Sequence, residues 1–187
     1  MIRKELRLSG LGGQGIILSG VILGRAATLF DKQNATLTQS YGPESRGGYC
    51  SAHLVISPDP VLYPLVSKPV VQVLMSQEAY LKYAPESNHD SMILVDEDLV
   101  KVDENIHQGR LLAIPATRIA EALGRRIMAN IVMLGFFAAV TSVVSMDAIR
   151  EAVRISVPKG TEELNLSAFD EGYAYGRRLL EGSRASV

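Results

Sequence analysis

The chain has a single cysteine, Cys50, no tryptophan, three histidines and a formal net charge of only −1. One thiol excludes a disulfide framework within the chain, and any all-cysteine iron–sulfur cluster held by this chain alone. Near-balanced charge excludes broad electrostatic binding to nucleic acid or to an anionic membrane surface. His53, His89 and His107 have no spacing that would bring them together as metal ligands, and no metal site is expected. The start of the chain runs from Met1 through a basic pair straight into a strand pattern. It lacks signal-peptide organisation, so a cytoplasmic location is expected. Charge is missing altogether from Ile127 to Met146, nearly enough to span a bilayer. Asn130, Gly135, Thr141 and Ser142 interrupt that run, and Arg125, Arg126 and Asp147 flank it. It reads as one long helix buried on most sides or covered by a partner, not as a membrane span.

What is present is ordinary for a soluble globular protein: 187 residues, 47% hydrophobic and 21% charged. That is one well-buried domain over residues 1–187, without linkers or internal repeats. Strand patterns fall at Ile2–Leu8, Asn34–Ser40, Tyr49–Ile56, Val70–Met75, Met92–Val95 and Arg110–Ile114, and Val61–Tyr63 reads as a short extended piece. Helical patterns cover Ile16–Phe30, Gln77–Tyr83 behind a Ser76 cap, and Ala116–Leu123. Beyond the uncharged run come Asp147–Ile155, capped by Ser145, and a last helix from about Thr161 to Leu180. The alternation predicts an α/β fold: a three-layer Rossmann-like domain with a mostly parallel central sheet.

Two loops carry the chemistry. Between the first strand and first helix lie Gly10, Gly12, Gly13, Gln14 and Gly15, which fit G-x-G-x-x-G in a strand–loop–helix setting. Glycines let the backbone turn sharply and bring its N–H groups to an anion, and the helix adds the positive end of its dipole. The alternative is a tight turn whose glycines serve packing alone. The acid that holds a ribose hydroxyl in dinucleotide-binding folds is absent: the second strand ends in Thr38-Gln39-Ser40, and Asp31 precedes it. The second loop is Tyr41-Gly42-Pro43-Glu44-Ser45-Arg46-Gly47-Gly48. Arg46 suits a carboxylate or phosphate, with Glu44 orienting it or meeting a partner; a solvated turn with an internal Glu–Arg pair is the plainer reading. Loops after two parallel strands leave one sheet edge, so the two should form one crevice.

Strict alternation along Tyr49–Ile56 puts Tyr49, Ser51, His53 and Val55 on one face and Cys50, Ala52, Leu54 and Ile56 on the other. Cys50 and His53 therefore cannot pair as nucleophile and base, and no catalytic residue is expected. Asp96-Glu97-Asp98 reads as a solvated strand end rather than a metal site.

The two loops together, with Ile56-Ser57 and Leu62-Tyr63-Pro64, resemble the gamma subunit of 2-oxoacid:ferredoxin oxidoreductases. The likeness is strong to about Pro64; beyond that it rests on the order of elements and on Asn130. Its second loop is closer to the 2-oxoglutarate and pyruvate types than to the indolepyruvate type. The resemblance implies a share in coenzyme A-dependent oxidative decarboxylation of a 2-oxoacid, with ferredoxin as electron acceptor. The complex would use thiamine diphosphate, Mg and iron–sulfur clusters. None of these would be bound by this chain alone, which lacks the sequence features for them. Alpha and beta subunits, and a ferredoxin-like delta subunit where present, are the implied partners. The Gly10–Gly15 turn, with Tyr41, Glu44, Ser45, Arg46 and Gly47, would help shape the coenzyme A side. The isolated chain is expected to be inactive and, through its partner-facing apolar surface, prone to homo-oligomerise. A free-standing nucleotide-binding enzyme, an indolepyruvate-type subunit and a purely structural docking domain remain the alternatives.

Overall fold

Strand β1 (Lys4–Leu11) sits inside a six-stranded sheet and decides its layout. On one side it pairs parallel with β4 (Val71–Leu74), followed by β5 (Met92–Asp96) and β6 (Arg110–Ile114), also parallel. On the other side lies β3 (Tyr49–Ser57), antiparallel to β1, and beyond it β2 (Asn34–Tyr41), antiparallel to β3. The order is therefore β2-β3-β1-β4-β5-β6, with β3 alone running against the rest. The connection from Tyr41 to Tyr49 is too short for a crossover and forces a hairpin. Because β2 runs in the same direction as β1, the ends of both lie at one edge. The computed structural model describes residues 3–42 and 47–184. Pro43, Glu44, Ser45 and Arg46, four residues of the second loop, lie outside them.

The mostly parallel α/β architecture is as expected, with helices on both faces of the sheet. On one face Leu6, Leu8, Cys50, Ala52, Leu54, Ile56 and Val73 are buried under α1 (Ile16–Arg25), α3 (Ala116–Ala122), α4 (Ala129–Val140), α5 (Met146–Ser156) and α6 (Glu162–Arg184). On the other, Leu74, Ile93 and Val95 pack with Ala79, Tyr80 and Tyr83 of α2 (Gln77–Tyr83). The Ser76 hydroxyl caps α2 by accepting from Ala79 N at 3.1 Å. After α1 the helix widens into a π-turn, Ala26–Phe30, where Asp31 N donates to Ala26 O.

The uncharged run is not one helix. A 3₁₀ turn, Arg126–Met128, leads into α4, which stops at Val140 when Thr141 goes extended. Ser145 then caps α5, accepting from Ala148 N, while Asp31 accepts from both its backbone N and its hydroxyl. Every α4 residue but Ala139 is buried, so the expectation of a central helix covered on most sides holds. No helix among the described residues is long and apolar enough to cross a membrane. The first strand begins at Lys4 and continues through Ser9, Gly10 and Leu11, which pair with Ser51, Cys50 and Tyr49. Val61–Tyr63 stays outside the sheet, and α6 extends to Arg184.

Candidate functional site

The edge where β1 ends is built largely from backbone. Gly10 is the last strand position facing the helical layer. A Cβ there would sit 2.4 Å from Gln14 Oε1 and 2.9 Å from Ile16 Cδ1, so a side chain would have to push aside the Gln14 amide and the tip of Ile16. The chain then reverses over Gly12–Gln14, where Gln14 N donates to Leu11 O at 3.1 Å. The Gln14 side chain closes the turn from both ends. Its Oε1 accepts from Leu11 N (2.6 Å), and its Nε2 donates to Met75 O at the end of β4 (2.8 Å). Gly13 and Gly15 adopt φ of 94° and 72°, conformations that favour glycine. Gly15 is also the N-cap of α1, and its Cβ would lie 2.3 Å from Asn130 Nδ2.

The second loop meets the first through the main chain. Gly12 N donates to Gly48 O at 2.7 Å, and Gly42 N donates to Tyr49 O at 2.7 Å. A Cβ on Gly12 would come within 3.2 Å of Gly47 N, so the two turns touch at glycine. Between them lies a cleft of ≈ 650 Å³, bordered by Gly12, Gly13, Gly15, Ile17, Tyr41 and Gly47. The first turn of α1 borders it too, has no side-chain cap, and offers N–H groups without intrahelical acceptors. Of the predicted site residues, Gly12, Gly13, Gly15, Tyr41 and Gly47 thus converge on one cleft. Gly10 and Gln14 form the turn behind it, and Gln14 also lines a ≈ 360 Å³ cleft with Met75, Thr117 and Arg126. Glu44, Ser45 and Arg46 are outside the described residues.

The titratable groups near this edge are arranged for structure. Cys50 is 4% exposed, and burial pushes its thiol above the usual range, away from the thiolate a nucleophile needs. His53 lies on the opposite face, with Nε2 3.0 Å from Ser51 Oγ. Burial, and then the nearby Arg7 guanidinium, hold its imidazole below the ordinary histidine value, so it is neutral at pH 7. Arg7 is itself almost buried: it lies over the Tyr83 ring at 4.2 Å and pairs with Glu86 at 2.6 Å. Tyr83 in turn exchanges a short hydrogen bond with the Tyr49 hydroxyl.

In the acidic triplet Glu97 and Asp98 are exposed, as expected of a solvated strand end, but Asp96 is not. Asp96 is fully buried and accepts from Thr117 N (3.0 Å), Thr117 Oγ1 (2.6 Å) and Asp98 N (3.1 Å). It ties the end of β5 to the start of α3, while Arg118 bridges Glu97 and Asp98 at the surface. Burial raises the Asp96 carboxyl above its ordinary range in spite of these donors. Thr117, twenty-one residues on, signals this pairing only once β5 and α3 are adjacent. No group of three or more His, Cys, Asp and Glu among the described residues could hold a metal ion. Asn130, too, has a part its place in an apolar helix only hinted at: its Nδ2 faces Gly15 O (3.3 Å) and Ser19 Oγ (3.4 Å), bracing the glycine turn from behind.

Residues 5–175 match the family described as pyruvate ferredoxin/flavodoxin oxidoreductase. The chain belongs to that family. It is 51% identical over 180 residues to the 2-oxoglutarate synthase subunit KorC of Methanocaldococcus jannaschii, covering 95% of this chain and 96% of the relative. The fold matches the gamma subunit of a keto/oxoacid ferredoxin oxidoreductase from Geobacter sulfurreducens, with TM-score 0.81, 38% identity, and 92% and 98% of the two chains covered. It also matches pyruvate oxidoreductase subunit PORC of Thermotoga maritima, with TM-score 0.73, 26% identity, and 93% and 97% covered. Alignment along nearly the whole of both subunits makes this chain a gamma-type subunit of a 2-oxoacid:ferredoxin oxidoreductase.

Proposed function

We propose that the chain is the gamma subunit of a cytoplasmic complex that oxidatively decarboxylates 2-oxoglutarate with coenzyme A and passes electrons to ferredoxin. The substrate assignment rests on one observation: full-length 51% identity to a 2-oxoglutarate synthase subunit. Alpha and beta subunits supply thiamine diphosphate, Mg and, with a ferredoxin-like delta subunit where present, the iron–sulfur clusters. The residues of this chain do not fit an iron–sulfur cluster, since its one thiol is buried.

In this reading the loop corner faces the core enzyme and forms part of the coenzyme A side of the active site. Its cleft is glycine-floored, apolar along Ile16 and Ile17, and open to a helix N-terminus, a combination suited to a phosphate-bearing chain. Arg46 is the proposed partner for an anionic group. Apolar side chains left outside the core support docking against other subunits: Leu62 is 92% exposed, Ile127 70% and Tyr63 65%. The same surface favours self-association when the chain is alone. The experiment is titration of the purified chain, and of its complex with alpha and beta, with coenzyme A and NAD. Coenzyme A binding that requires the complex supports the proposal. Tight NAD binding by the chain alone would favour a free-standing nucleotide-binding enzyme.

A further inference from the structure

Behind the glycine turn lies a smaller cavity of ≈ 280 Å³, between the first turns of α4 and α6, apart from the proposed coenzyme A corner. Leu18, Met128, Ile131, Val157 and Leu164 make its wall largely apolar. Two asparagines interrupt that wall: Asn130, 3% exposed, and Asn165, 8% exposed. Backbone carbonyls, which only accept, fix which way each amide points. Asn130 Nδ2 donates to Gly15 O, and Asn165 Nδ2 donates to Thr161 O at 2.9 Å. Each Oδ1 is thereby left as an acceptor, and neither receives a hydrogen bond from a described residue. The unpaired side-chain atoms that are sealed off lie elsewhere, at Arg7, His107 and Thr141, so each of these two oxygens keeps some accessible surface on a residue lining the cavity. Accessible acceptors of this kind are met by water or by the donors of a ligand. Arg125 is also in the wall; its backbone bonds Ala120 and Met128, while its side chain makes no ion pair or hydrogen bond with a described residue.

We propose that this cavity binds a small molecule ending in a primary carboxamide. Its NH₂ group donates to Asn130 and Asn165, and its carbonyl accepts from Arg125. An alcohol has one donor for two acceptors. An ammonium group would be desolvated beside neutral oxygens with a guanidinium in the same wall. A carboxamide matches both acceptors and the cation while remaining neutral. At the ~30 Å³ that water occupies in the liquid, the cavity takes roughly nine heavy atoms, which suits a benzamide-sized molecule. Asn130 also holds Gly15, so occupancy is felt at the glycine turn.

The test is titration of the isotope-labelled full chain with benzamide and, separately, with methyl benzoate, which keeps the shape but has no N–H donor. Nuclear magnetic resonance follows the side-chain amides of Asn130 and Asn165 and the backbone of Gly15. The expected result is saturable shifts at all three positions with benzamide, and about tenfold weaker binding of methyl benzoate. Asn165→Leu should remove the preference. Arg125→Ala, an exposed change that spares the fold, should weaken benzamide about threefold or more. Equal binding of the two compounds, shifts confined to Gly12, Tyr41 and Gly47, or unchanged benzamide affinity in both variants would overturn the proposal.

Discussion

At the crossing of α4 and α6, glycine is where two backbones touch; at the loop corner, it is where the chain reverses. A Cβ on Gly135 would lie 1.9 Å from Phe169 O, and one on Gly172 would lie 1.9 Å from Val132 O. Both clashes are with main chain, which cannot rotate away. Glycine in a helix interior costs about 0.5–1 kcal/mol relative to alanine, so these positions sacrifice helix stability for close approach. At the corner, Gly13 has positive φ and nothing within 4 Å of its would-be Cβ: its requirement is conformational, not steric. Gly12, without a positive φ, carries the steric requirement alone, pressed against Gly47 while leaving a cleft beside it. The crossing is thus a structural weld, whereas the corner leaves backbone bordering a cleft, where the proposed ligand would sit.

Substitution separates these roles. Gly135→Ala should destabilise by about 3 kcal/mol or more and Gly135→Val should prevent cooperative folding, read by urea denaturation. An alanine variant within about 0.5 kcal/mol of the parent would break the contrast. Gln14→Ala, which leaves Leu11 N–H and Met75 C=O without their partner, should lose about 2 kcal/mol in the same assay. Gly12→Ala should shift stability by under about 1 kcal/mol yet raise the KM for coenzyme A in the reconstituted complex about tenfold. A large stability loss with unchanged KM would place Gly12 with the weld.

The smallest effect belongs to pH. His53 has a depressed value in the folded state, so its contribution to stability is present above the ordinary histidine range and lost as pH falls through the folded value. Denaturation midpoints across mildly acid pH should fall less in His53→Gln than in the parent. Parallel curves would contradict the assignment.

Much of this contrast was legible in the sequence, though unevenly. Loop order and strand direction were enough to bring the glycine turn and the Tyr41–Gly48 loop to one edge, because β2 does run with β1. Alternation alone placed Cys50 and His53 on opposite faces. Ser76 and Ser145 announced the helices they cap. What local pattern misses is non-local partnership. The uncharged run looked like one helix because hydropathy cannot see Asp31 holding Ser145, which fixes where α5 starts. Asp96 looked solvated because its donors arrive from Thr117, across the gap from β5 to α3. Gln14 read as a ligand contact, but its amide already bridges Leu11 and Met75.

The most direct measurement is 2-oxoglutarate- and coenzyme A-dependent reduction of ferredoxin by purified subunits, assayed with and without this chain. No turnover and no cluster absorbance are expected from the chain alone, little turnover from alpha and beta without it, and full rate when all are combined. Turnover by the chain alone, or an equal rate in its absence, would contradict the proposed function.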